Sequence, residues 1–109
     1  MRTLTSEEIK TLEQNHCISQ DWQQITVSED FAASNIYNVE FIGKCQIGAT
    51  NGTLNNDIGI DAPAGIHNAR IINSTIGDNC LIENITGFIF NCDIKDRCLI
   101  NNVSTIPTN

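Results

Sequence analysis

A large apolar residue returns every sixth position over the last third of the chain: Ile76, Ile82, Phe88, Ile94, Ile100 and Ile106. A second series runs four places behind each of the first five, and every member is small: Cys80, Thr86, Cys92, Cys98 and Ser104. Residues six apart on an α-helix point about 120° away from one another, so a helix cannot bury either series. A strand of two or three pleated residues followed by a corner can bury both, the large and the small residue pointing inward and the rest facing out or turning. Three such hexads close a triangular coil of eighteen residues. Ile94 then stacks on Ile76, Ile100 on Ile82 and Ile106 on Phe88. Backbone hydrogen bonds run between coils at the strand spacing of about 4.8 Å. The spacing therefore predicts a mainly β fold, a parallel β-helix built from hexapeptide repeats. An ordinary antiparallel sheet with chance spacing is the competing reading, and two matched series argue against it.

Upstream the pattern is broken. Phe41 to Ile47 is one step of six, and Ile60 to Ile66 to Ile72 gives two more. Ile72 to Ile76 is a step of four, a shortened corner. The segment ATNGTLNNDIG between these pieces breaks phase and reads as a loop thrown out around 49–60. The register of residues 48–75 does not follow from the spacing. Before about Ile36 the texture is helical at first, and VSEDFAASNIYNV, grouped with the cap, reads as a loop, another helical turn, or both. Thr5 and Glu8 form a capping-box pair, Ile9 and Leu12 share a face, Leu4 precedes the cap as a staple, and Asn15 is a stop. A second turn begins near Ser19, with Asp21 at its start. The organisation expected is a helical cap over 1–35 and a repeat domain over 36–109, one domain's worth of chain in 109 residues. The ending STIPTN falls within the ladder, which predicts a truncated solenoid completed by further coils downstream or by a partner.

The formal charge is −7, with six Lys and Arg scattered along the chain, so a nucleic acid backbone is not an expected partner. There is no basic amphipathic segment, no apolar signal core and no run of 18 apolar residues, which predicts no membrane association and a cytoplasmic location. Five cysteines without an export signal read as reduced, small core residues. Cys80 and Cys98 stand eighteen apart and so lie one above the other. A disulfide between them is conceivable, and a reduced pair is the preferred reading. No ligand spacing for zinc is present. Asp57, Asp61, Asp78, Asp93 and Asp96 lack a calcium-loop pattern and read as solvated corners. GKCQIGATNG lacks the order of a phosphate loop. The triplets at Asn51, Asn73, Asn84 and Asn102 are assigned no glycan. Frequent Asn points to many tight corners, since Asn tolerates the left-handed backbone region.

The segment STIGDNCLIENITGFIFNCDIKDRCLINNV resembles the hexapeptide-repeat superfamily, which contains acyltransferases and the C-terminal domains of some sugar nucleotidyltransferases. Three blocks in order, LTSEEIKTLEQNHCISQDWQQITVSEDF, NVEFIGKCQIG and IGDNCLIENI, resemble the start of a bacterial family known as domain of unknown function 4954. The likeness covers nearly the whole chain and is weakest in NGTLNNDIGIDAPAGIHNAR. It implies a left-handed coil, a handedness the period itself does not supply. It also implies that these residues are the leading end of longer proteins.

Two functions follow as expectations. One is the N-terminal scaffold of a transferase-like hexapeptide protein, of acyl- or nucleotidyl-sugar-transferase type. As such proteins do, it would form a homo-oligomer, a trimer, with its coenzyme or nucleotide-sugar sites between neighbouring prisms. The other is a non-enzymatic structural or oligomerisation module. Neither reading names a cofactor. His67, in AGIHNA, is the candidate general base, because imidazole titrates near neutrality. The usual surroundings of such a histidine are missing, and a loop histidine making a local hydrogen bond is the preferred reading. His16 belongs to the cap. Outward threonines are too irregular for an ice-binding face, and two histidines are too few for a carbonic anhydrase of this architecture.

Overall fold

A computed structural model describes residues 1–55 and 61–105. Ile106, Asp57 and Ile60, named above, lie outside the described residues. After a short strand β1 (Arg2–Thr3), the helix α1 (Ser6–Gln14) begins at Thr5. The Thr5 hydroxyl accepts the Glu8 N–H at 3.1 Å and the Glu8 carboxylate accepts the Thr5 N–H at 2.9 Å, a closed capping box. Arg2 grips the same carboxylate through two guanidinium nitrogens at 2.7 and 2.8 Å. Asn15 ends the helix and His16 turns the chain through a left-handed backbone, φ 65°. Leu12 is fully buried. No described helix is long and apolar enough to cross a membrane.

The rest is mainly β. In chain order the strands are β2 (Ile18–Ser19), β3 (Ile25–Val27), β4 (Ile36–Ile42), β5 (Cys45–Ile47), β6 (Thr53–Asn55), β7 (Asp61–Pro63), β8 (Gly65–Ile72), β9 (Thr75–Ile76), β10 (Leu81–Glu83), β11 (Ile89–Phe90), β12 (Asp93–Ile94) and β13 (Leu99–Asn101). One sheet runs β1-β3-β5-β9-β12. A second runs β13-β10-β8-β4-β2, with β11 also on β8. Every pairing within them is parallel except β1 with β3.

Register stacks like on like. Ile36, Ile66, Ile82 and Ile100 form one column across β4, β8, β10 and β13. Val27, Ile47, Ile76 and Ile94 form another across β3, β5, β9 and β12. Phe41, Ile71 and Ile89 form a third. Their side chains, with Leu12, Ile25 and Val39, make the core. Burying each Ile contributes on the order of 1.5–3 kcal/mol before chain entropy is subtracted.

Several expectations need correcting. The first 35 residues are not only a helical cap: β2 and β3 already belong to the parallel ladders, pairing with β4 and β5. The irregular stretch around 49–60 contains β6, which pairs antiparallel with β7 (Thr53 with Pro63, Leu54 with Ala62). This detour is why β5 pairs with β9, and β4 with β8, only after an unusually long intervening stretch.

Phe88, Thr86 and Ser104 do not point inward. Phe88 is 37% exposed and Thr86 and Ser104 are exposed, while Ile89 and Ile85 are buried and Val103 packs on the core. For Phe88 and Thr86 the cause is a bulge. Ile85 donates its N–H to Asn68 and Ile89 pairs with Ile71, so Thr86, Gly87 and Phe88 span a distance that β8 crosses with fewer residues. The surplus swings outward. Ile72 is shifted in the same sense: Ile71 takes the inner position and Ile72 is half-buried.

Candidate functional site

His67 lies on β8, not in a loop. Register places Tyr37 of β4 on one side of it and Glu83 of β10 on the other. The Tyr37 ring stacks on the imidazole, centroids 4.0 Å apart and planes 10° from parallel. His67 Nδ1 stands 3.1 Å from Glu83 Oε2, a contact in which Nδ1 carries the proton when the carboxylate is ionised. His67 Nε2 lies over Gly65, close enough that a Cβ added there would sit 2.8 Å from it. The imidazole, buried, is thus enclosed by a ring, a carboxylate and a glycine backbone. Sequence reasoning singled out His67 but not Tyr37 or Glu83. A period of eighteen points from His67 to Ile85, whereas the true partner is sixteen residues on.

Beside this stack the second sheet turns a corner. Asn38, Asn68, Asn84 and Asn102 all adopt left-handed φ there, between 55° and 59°. Their carboxamides connect the rungs: Asn38 Nδ2 donates to Asn68 Oδ1 at 2.7 Å and Asn68 Nδ2 to Asn84 Oδ1 at 2.9 Å. Among the described residues nine non-glycines have positive φ and seven of them are Asn, so the corners select this residue. A groove of about 390 Å³ follows the column, lined by Asn38, Asn68, Glu40, Arg70, Thr86 and His16 among others. Arg70 Nε donates to Glu40 Oε1 at 2.9 Å across its outer wall. The groove offers amides and one satisfied ion pair; Thr86 adds a hydroxyl and His16 an imidazole.

The cysteines repeat one arrangement at three corners. Cys17 donates its thiol to Ile36 O at 3.7 Å, Cys45 to Ile71 O at 3.6 Å and Cys80 to Lys95 O at 3.0 Å. In each case the acceptor stands two residues before a left-handed corner, at Asn38, Asn73 and Arg97. The N–H groups of that corner residue and its successor point back at the sulfur: Asn38 and Val39, Asn73 and Ser74, Arg97 and Cys98. Burial pushes all three thiols above their ordinary range, which keeps them protonated and able to donate. Cys92 is buried and Cys98 half-buried. No signal in the spacing alone predicts this clasp; it needs the small slot and the next corner to be in contact.

Asp78 and Asp96 act as braces. Asp78 Oδ1 accepts the Ala49 N–H at 2.8 Å and Asp96 Oδ1 accepts the Asp78 N–H at 2.7 Å. Among the described residues no group of three or more His, Cys, Asp or Glu is placed to hold a metal ion.

The chain matches a family model described as "Domain of unknown function (DUF4954)" over residues 1–109. It is 35% identical over 85 residues to an "Uncharacterized protein" of Treponema pallidum (strain Nichols), a match covering 76% of this chain and 12% of that protein. The chain therefore spans only a small part of the length of this curated relative. No solved structure matches it. With all of residues 1–109 covered by that match, the chain belongs to the DUF4954 family.

Proposed function

We propose that this chain is a scaffold segment: a left-handed parallel β-helix of the hexapeptide-repeat type, with α1 beside its first coils, serving a larger protein and holding no complete reaction centre of its own. The observation that carries the reading is the in-register column Ile36, Ile66, Ile82 and Ile100. Like residues stacked in parallel register at successive returns of the chain are what a wound coil produces and what a flat sheet joined by hairpins does not. The polar residues support it as well. Asn38, Asn68 and Asn84, Asp78 and Asp96, and three of the thiols bond one coil to the next. Five free cysteines suit a reducing compartment, and the cytoplasm is the location we propose.

A transferase-type protein is the second reading, favoured by one observation, the His67–Glu83 pair at 3.1 Å. A carboxylate on Nδ1 is how a general-base histidine is oriented. In that reading three copies pack side by side and coenzyme or nucleotide-sugar sites form between them.

Thermal melting with acetyl-coenzyme A and with nucleotide sugars separates the two. A ligand that binds only the folded chain raises its melting temperature by linkage. The scaffold reading expects no ligand-induced shift, either in the native chain or in His67→Gln. A saturable shift that His67→Gln removes favours the transferase reading. Sedimentation reports whether trimers form.

A further inference from the structure

We propose that Cys80 and Cys98 form a redox-responsive pair, a dithiol that a low-molecular-weight disulfide converts to a cross-link between the paired rungs β10 and β13 of the second sheet. The two residues directly precede Leu81 and Leu99, which are paired in parallel register, and Leu81 donates its N–H to Cys98 O at 2.9 Å. Adjacent strands lie about 4.8 Å apart, within the window of roughly 4.4–6.8 Å that disulfide-linked Cα atoms occupy. The Cys80 sulfur already reaches toward the rung of Cys98: it donates to Lys95 O at 3.0 Å and receives the backbone N–H of Cys98. Cys98 differs from the other four cysteines in being only half-buried, at the edge of the core, which makes it the first of them that a reagent in solution would meet.

The chemistry balances with oxidised glutathione as the co-reactant. The Cys98 thiolate attacks one sulfur of glutathione disulfide, that S–S bond breaks, and the first glutathione leaves with the proton Cys98 gave up. The Cys80 thiol loses its proton to solvent and attacks the Cys98 sulfur, expelling the second glutathione. Two protein thiols are oxidised and one small disulfide is reduced to two thiols. Because burial raises the Cys80 thiol, the second step is the slow one and quickens as pH rises.

The test incubates the chain with excess oxidised glutathione, blocks remaining thiols, and reads intact mass, a tryptic map and the melting temperature. Trypsin cuts after Lys95 and Arg97, so a cross-link appears as the Cys98 peptide joined to the peptide carrying Cys80 and Cys92. Cys92→Ser shows which of the two is bonded. The expected result is loss of two thiols per monomer, a Cys80–Cys98 link that persists in Cys92→Ser, and melting raised by several degrees in the oxidised chain but not in Cys98→Ser. A stable glutathione adduct on Cys98, a link through Cys92, a disulfide between two chains, or no reaction each overturns the proposal.

Discussion

Cys80 donates its thiol to the carbonyl oxygen of Lys95, 3.0 Å away on the following rung, and this contact closes a corner from inside the core. Removing it leaves that carbonyl without its buried donor and opens a small void. Cys80→Ala should lower unfolding free energy by about 1–3 kcal/mol, the range for an orphaned buried polar group plus a lost side-chain atom. Cys80→Ser keeps a donor and should cost less. Urea unfolding of the two variants side by side gives the comparison, and equal losses would mean that the thiol acts only by filling space.

Position along the Ile column sets a second expectation. Ile82 is fully buried between Ile66 and Ile100, whereas Ile100 is only half-buried. Ile82→Ala should cost about 2–5 kcal/mol, as large-to-small core changes do. Ile100→Ala should cost clearly less, and Ile82→Asp should unfold the chain, because the carboxylate has no partner there. Circular dichroism and urea midpoints of the three variants check the order. Should Ile100→Ala prove as costly as Ile82→Ala, the β13 rung is better covered than its exposure indicates.

The residues behind these two predictions differ in how far the sequence exposed them. Ile76, Ile82, Ile94 and Ile100 are read directly from the period of six, because short strands joined by single-residue left-handed corners leave little freedom in spacing. Phe88 and Thr86 are misread because the bulge at 86–88 carries surplus residues that a strict period cannot represent, and Ser104 follows Thr86, whose N–H bonds Val103 O on the next rung. His67 is recognisable as a candidate, but Tyr37 and Glu83 are not. Tyr37 and His67 stand thirty positions apart, an interval that includes the antiparallel β6–β7 pair, and the return to Glu83 is two residues short of eighteen. Local backbone demands were legible throughout: the capping box at Thr5 and Glu8, the stop at Asn15 and the asparagine-rich corners all follow from single-residue chemistry.

Those corners give a third prediction. Asn84 has φ 59° and its carboxamide accepts from Asn68. Asn84→Ala should cost about 1–2 kcal/mol from the left-handed backbone alone, with the lost carboxamide bond added to it. Asn84→Gly removes the steric part and should recover most of the loss. Gly43 tests the same physics in reverse: at φ 72°, and with the Asn73 carboxamide against the place a Cβ would take, Gly43→Ala should be the more damaging change. Melting temperatures rank the three. If Asn84→Gly is as unstable as Asn84→Ala, the amide column and not the backbone carries the corner.

The N-terminal clasp supplies a pH dependence. Arg2 donates two hydrogen bonds to Glu8 and, with the Thr5 N–H, holds its carboxyl below the ordinary value of 4.5. A carboxylate whose pKa falls on folding stabilises the folded state at pH values above its unfolded pKa. That contribution fades as pH drops from about 4.5 toward the lower folded value, because the unfolded chain then takes up the proton first. Glu8→Gln should therefore weaken the protein at neutral pH and flatten the acid limb of its stability curve. Thr5→Ala should remove about 0.5–2 kcal/mol by opening the cap while leaving part of the acid limb in place, since Arg2 still holds the carboxylate. Urea midpoints measured from pH 7 down to pH 3 distinguish them. Parallel acid limbs in the native chain and Glu8→Gln would place the acid sensitivity on other carboxylates and leave the Arg2–Glu8 clasp without a measurable share in stability.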